Sequence, residues 1–160
     1  MYVGIMDYIN EYPDNYPDTL IATDVIERVN EFEFPHFTGP QYDFLSDNYE
    51  LPIDTQIDYI IMNPPYSTIE PFTIRALEIA EYGVLMLGRL QFLESKGRYE
   101  NILKDNPPTD VYVYVDRIKC YKNGDENDNS SSAQAYAWYY WDLTKKNQAF
   151  PQLHWIRRAE

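Results

Sequence analysis

Two adjacent prolines constrain this chain more than any other feature. Pro64 and Pro65 come almost directly after the apolar stretch Gln56 to Met62, with only Asn63 between. A proline has a fixed φ and no N–H to give to a ladder. The stretch is short and apolar, so it reads as a buried strand that must end at Asn63. Beyond it, Ser67 and Thr68 are both able to cap a helix and Pro71 sits in a first turn. Phe72, Arg75, Ala76, Ile79 and Ala80 then keep helical spacing as far as Gly83. Gly83-Val84-Leu85-Met86-Leu87-Gly88 reads as the next buried strand. Strand, helix and strand in this order predict a right-handed parallel crossover.

The rest of the chain continues in the same style. Thr19 to Asp24 reads as a short buried strand ending in an acid, and Phe92 to Lys104 as a helical segment broken at Asn106-Pro107-Pro108. Asp110 to Lys119 alternates as a strand. Ala135 to Leu143, with Tyr136, Trp138, Tyr139, Tyr140 and Trp141, reads as its antiparallel partner. Residues 121–133 between them are rich in Gly, Asn and Ser and are expected to form a mobile loop, and residues 151–160 a tail carrying Arg157 and Arg158. Neither a repeat nor a linker interrupts the pattern, so residues 1–160 are expected to form a single α/β domain.

Charge and cysteine usage narrow the chemistry. The net charge is −13, but residues 1–80 hold 15 acidic and 2 basic side chains while residues 81–160 hold 11 of each. A polyanion should therefore approach the second half. Cys120 is the single cysteine, and His36 and His154 are the two histidines. That inventory excludes an internal disulfide and any Cys/His zinc site. With no apolar stretch long enough to span a bilayer, the expected location is the cytoplasm, away from membranes. Both histidines are expected to be packing or surface residues, and the cations Lys96, Arg98, Arg117, Lys119 and Lys122 to form solvated faces, in the charge-balanced half where DNA would dock.

Asn63-Pro64-Pro65-Tyr66 is the group that suggests chemistry. The exocyclic amine of adenine is a poor nucleophile because its lone pair is delocalised into the ring. Asn63 Oδ1 and the Pro64 carbonyl are two acceptors able to hold its hydrogens and free that pair, and the prolines keep them preorganised. Tyr66 stands where a ring can stack on a base removed from the duplex. The bland alternative is an ordinary turn, and the chain contains its own control. Asn106-Pro107-Pro108-Thr109 repeats the three letters but follows a helical segment, precedes a strand and lacks the aromatic, so it reads as a plain connection.

In this setting the Asn63 loop resembles the catalytic loop of the S-adenosylmethionine-dependent DNA adenine-N6 methyltransferases, particularly small phage-type members. Leu20-Ile21-Ala22-Thr23-Asp24, Tyr42-Asp43-Phe44-Leu45, Leu87 to Leu93 and Ala135-Tyr136-Ala137-Trp138 resemble the same family. The resemblance implies a Rossmann-like class I sheet, mostly parallel with a C-terminal antiparallel hairpin. It implies Asn63, Pro64, Pro65 and Tyr66 as catalytic residues and DNA as the partner. It also implies S-adenosylmethionine as cofactor, with Asp24 on its ribose, Asp43 on its adenine amine and Phe44 against its ring.

One departure stands out. The family's Gly-rich cofactor loop lets backbone approach the ligand closely, and this sequence contains no Gly-x-Gly. Gly4 resembles the last glycine of that loop, so the first strand is expected to be missing or replaced. Met1-Tyr2-Val3, a second chain or a homo-oligomer would then complete the sheet, or the neighbouring strands would close on each other. The departure keeps two alternatives open: a non-catalytic binding or oligomeric protein, such as an acidic antagonist of DNA-binding proteins, and methylation of an amine on RNA or protein.

Overall fold

The structure, a computed structural model, describes residues 43–46, 56–116, 134–145 and 150–157. The chain falls into two units, Met1–Thr55, of which residues 43–46 are described, and Gln56–Glu160, which holds every element named below. Strand β1 is Ile57–Met62 and helix α1 is Ile69–Ile79. Strand β2, Ala80–Arg89, starts without a linker, because the Ala80 backbone turns extended at φ −79 and ψ 139. The β1–α1–β2 unit is parallel, as the alternation of patterns predicts, with Met62 beside Met86.

Strands β3 (Asp110–Tyr114), β4 (Tyr136–Asp142) and β5 (Gln152–Ile156) complete a five-stranded sheet of order β1-β2-β4-β3-β5. The β3/β4 pair is antiparallel, as expected, but β4 also inserts antiparallel against β2, and β5 lies parallel to β3. This overturns the expectation of a mostly parallel, Rossmann-like class I methyltransferase sheet. The sheet is mixed, and among the described residues the helices are α1 and a single α-turn at Lys96–Arg98, with a 3-10 turn before it and a π-turn after it. The physical reason lies in β4. It carries aromatic bulk on both faces, Tyr139 and Trp141 to one side and Trp138 and Tyr140 to the other, so it packs as an interior strand between two neighbours.

Two further corrections follow. The helix expected over Phe92 to Lys104 is instead the 3-10 turn Leu90–Leu93, the α-turn and the π-turn Tyr99–Leu103. The break is at Ser95, whose φ of 105 no continuous helix allows. The segment 151–160, expected to trail as a tail, contains β5, held by a ladder from Gln152 beside Asp110 to Ile156 beside Tyr114.

The core lies on one face of the sheet. Met62, Met86, Tyr139 and Val111 form one row across four strands, all buried. Helix α1 covers the row with Ile69, Thr73 and Ala76, and Phe92 adds its ring 4.9 Å from Tyr139. The Thr73 hydroxyl donates to the Ile69 carbonyl at 2.7 Å and lies 3.2 Å from the Met86 sulfur. At β5 the same row runs out to Leu153, which is 53% exposed. Residues 1–42, including the Asp24 strand and Gly4, and the loop 121–133 lie outside the described residues.

Candidate functional site

Asn63 follows the last ladder residue of β1, at the carboxyl end of the parallel β1/β2 pair, where open α/β sheets gather ligand groups. Burial keeps alternating past the strand: Met62 is buried, Asn63 exposed, Pro64 buried and Pro65 exposed. The extended backbone imposed by the prolines therefore carries the two-residue period of the strand into the loop. It anchors Pro64 in the interior and turns Asn63 out to solvent. Among the described residues, neither the Asn63 side chain nor the Pro64 carbonyl has a hydrogen-bond partner.

The loop closes on the next carbonyl. The Thr68 N–H and hydroxyl both donate to the Pro65 oxygen, at 3.0 and 3.3 Å. Thr68 thus stands at the helix N-terminus without its side chain capping the helix, and its hydroxyl locks the loop instead. Phe72 N–H to the Thr68 carbonyl, at 3.2 Å, begins the helical pattern.

Tyr66 is half-buried, and the structure surrounds it with two side chains from the far ends of β2 and β4. Its hydroxyl lies 3.0 Å from the Tyr136 hydroxyl, and the two rings are 6.1 Å apart and tilted by 45°. The Arg89 guanidinium carbon sits 3.9 Å over the centroid of the Tyr66 ring, a cation–π contact. Arg89 and Tyr136 are register partners, which explains how residues so far apart in sequence converge on one ring. Arg89 covers one face of the Tyr66 ring.

Asp43 and Phe44 belong to the first unit, in a turn of their own. Asp43 is exposed and its Oδ1 accepts the Leu45 N–H at 3.0 Å, while the Ser46 N–H donates to the Asp43 carbonyl at 3.0 Å. Phe44, the next residue, is half-buried. Asp24, expected on the ribose, lies outside the described residues.

Among the remaining polar residues, Arg98 departs from the solvated face expected of it, while His154 packs against its neighbours. Arg98 donates Nε to the Phe92 carbonyl at 2.9 Å, and Nη2 to the carbonyls of Gln91, at 2.8 Å, and Glu94. It staples the 3-10 turn that the sequence reads as helix. His154 lies 2.8 Å from Asp110 and stacks on Tyr112 at 4.6 Å, which fastens β5 to β3. The second Asn-Pro-Pro is the plain connection expected of it, with Pro108 fully buried and the Asn106 carbonyl accepting the Trp141 indole N–H at 3.0 Å. Sequence reasoning missed Arg89 as a site residue. The available signal was a cation closing a strand parallel to the one that ends in Asn63.

Compared with known proteins, the chain matches no family model, and no curated protein matches it. Among the described residues no helix is long and apolar enough to cross a membrane.

Proposed function

We propose that this protein transfers a methyl group from S-adenosylmethionine to the N6 amine of adenine in DNA. The observation that carries the reading is the exposed Asn63 side chain beside an unengaged Pro64 carbonyl, in a loop stiffened by prolines and tied through Thr68. Asn63 Oδ1 and the Pro64 oxygen accept the two amine hydrogens and localise the lone pair on nitrogen. Tyr66 supplies the ring against which the base packs, and its bond to Tyr136 keeps that ring from turning. S-adenosylmethionine supplies the methyl group when bound. Labelled-methyl transfer to unmethylated DNA tests the reading. Asn63→Ala should abolish transfer with the circular dichroism spectrum unchanged, and activity retained in that variant would sink the mechanism.

The mixed sheet favours a second reading, an adenine-binding protein that performs no transfer, because the strands around the loop pair differently from the sheet on which this chemistry is expected. Calorimetric titration with S-adenosylmethionine separates the two. Micromolar binding supports the transferase, and no binding supports the binding protein.

A further inference from the structure

Among the described residues, Arg89 is a cation with no carboxylate partner. The chain carries 26 acidic against 13 basic side chains, yet no carboxylate lies within ion-pair distance of this guanidinium among the described residues. Arg75, Lys104 and Lys145 pair with Glu78, Glu100 and Asp142, and Arg98 is committed to three carbonyls. Arg89 Nε is buried with no acceptor. A buried donor left this way costs free energy, which an arriving acceptor would recover.

The position is also rigid. The Arg89 carbonyl accepts the Tyr139 hydroxyl at 2.9 Å, and the next residue, Leu90, donates its N–H to Ala135 at 2.8 Å. A guanidinium is planar and keeps its N–H donors in its own plane, and that fork matches two oxygens of a phosphate. Tyr66, itself held by Tyr136, therefore acts as the platform that orients the fork beside the Asn63 loop.

We infer that Arg89 is the phosphate-binding residue of this site, gripping the backbone of a DNA strand next to the adenine held at Asn63. The inference rests on the adenine reading of that loop. Tyr66 then orients the charge that holds the strand.

The test is binding of a short adenine-containing single-stranded oligodeoxynucleotide over a range of salt concentrations, for the wild-type protein, Arg89→Gln and Arg89→Lys. Arg89→Gln should weaken binding by about tenfold to a hundredfold at low salt. It should also reduce the slope of log K against log salt by about 0.7, the value of one lost phosphate contact on a single strand. Arg89→Lys should keep the slope and lose part of the affinity. An oligonucleotide with neutral methylphosphonate linkages flanking the adenine, bound to wild-type protein, should show the same lowered slope without any mutation. An unchanged slope for both Arg89→Gln and the methylphosphonate strand overturns the inference, as does failure of the wild type to bind the oligonucleotide. Asn63→Ala keeps the two readings distinguishable: it should leave the slope intact while removing the preference for adenine over an abasic site. If the Arg89 slope falls but Asn63→Ala leaves that preference unchanged, the phosphate contact stands and the adenine reading fails.

Discussion

Replacing Tyr139 with phenylalanine removes one oxygen from the centre of the sheet, and the structure gives that oxygen two separable effects. The side chain is fully buried and its hydroxyl donates to the Arg89 carbonyl at 2.9 Å. Losing a neutral hydrogen bond of this kind should cost about 1 kcal/mol at neutral pH. The second effect is alkaline. Burial, partly offset by the Arg98 charge, raises the Tyr139 phenol well above its ordinary value. In the unfolded chain that phenol loses its proton near about pH 10 while the folded protein keeps it, so the unfolded state binds fewer protons and wild-type stability falls as pH rises. The contribution is fully present below about pH 10 and is lost above it at a limiting slope of about 1.4 kcal/mol per pH unit. Phenylalanine has no proton to lose. The two stability curves should converge, with the neutral-pH penalty cancelled near about pH 10.7. Urea denaturation of both proteins between about pH 8 and 11.5, followed by tryptophan fluorescence, measures this. Every other tyrosine titrates in both proteins and drops out of the difference. Curves that stay parallel to the top of the range would refute the assignment of a buried, protonated phenol at this position.

Three further outcomes are expected. Thr73→Val removes a buried hydroxyl whose acceptor, the Ile69 carbonyl, keeps its place in the helix; the change in stability should stay within about 1 kcal/mol, and a loss several times larger in urea melts would show that the contact to the Met86 sulfur matters more than this. Gly83→Ala would place a methyl 3.0 Å from Tyr59 Cδ1 and 3.1 Å from Tyr140 Cε2. Tyr59 is 59% exposed, so most of the strain should be relieved in a Tyr59→Ala background, giving a coupling of at least about 0.5 kcal/mol in a double-mutant cycle. His154→Ala leaves the mostly buried Asp110 carboxylate without its partner and removes the stack on Tyr112; it should cost about 1.5–3 kcal/mol and raise amide exchange in β5 before the central strands.

The β1–α1–β2 unit was legible because its signals are local and strong: an apolar run, two prolines, then Phe72, Arg75, Ala76 and Ile79 at helical spacing, although the face that packs is Ile69, Thr73 and Ala76. Strand direction in the rest of the sheet was not. A two-residue period says which side chains share a face and nothing about whether the neighbour runs up or down, so β4 was read correctly as a strand paired with β3 while its second, antiparallel edge against β2 went unseen. In Gln152-Leu153-His154-Trp155-Ile156 the alternation is too weak and too short to announce β5, which owes its place to backbone ladder bonds and the His154–Asp110 contact. Ser95 broke the expected helix with a backbone conformation that nothing in the composition around it requires. At the site, Asn63 and Tyr66 could be found from the chain alone, because their meaning depends on neighbours in sequence. Arg89 depends on a neighbour across the sheet, and Tyr136 stood only within a stretch of family likeness.

The alternation of burial through Met62, Asn63, Pro64 and Pro65 makes the loop a matter of parity. A residue inserted between Met62 and Asn63 would exchange inside and outside, sending the asparagine amide into the core and a proline ring into water. The spacing from Met62 is therefore as much a part of the site as the residue types, and homologues that shifted the motif by one position would have to restore the count before helix α1 begins. Length variation of two residues is the smallest step that leaves the asparagine facing out.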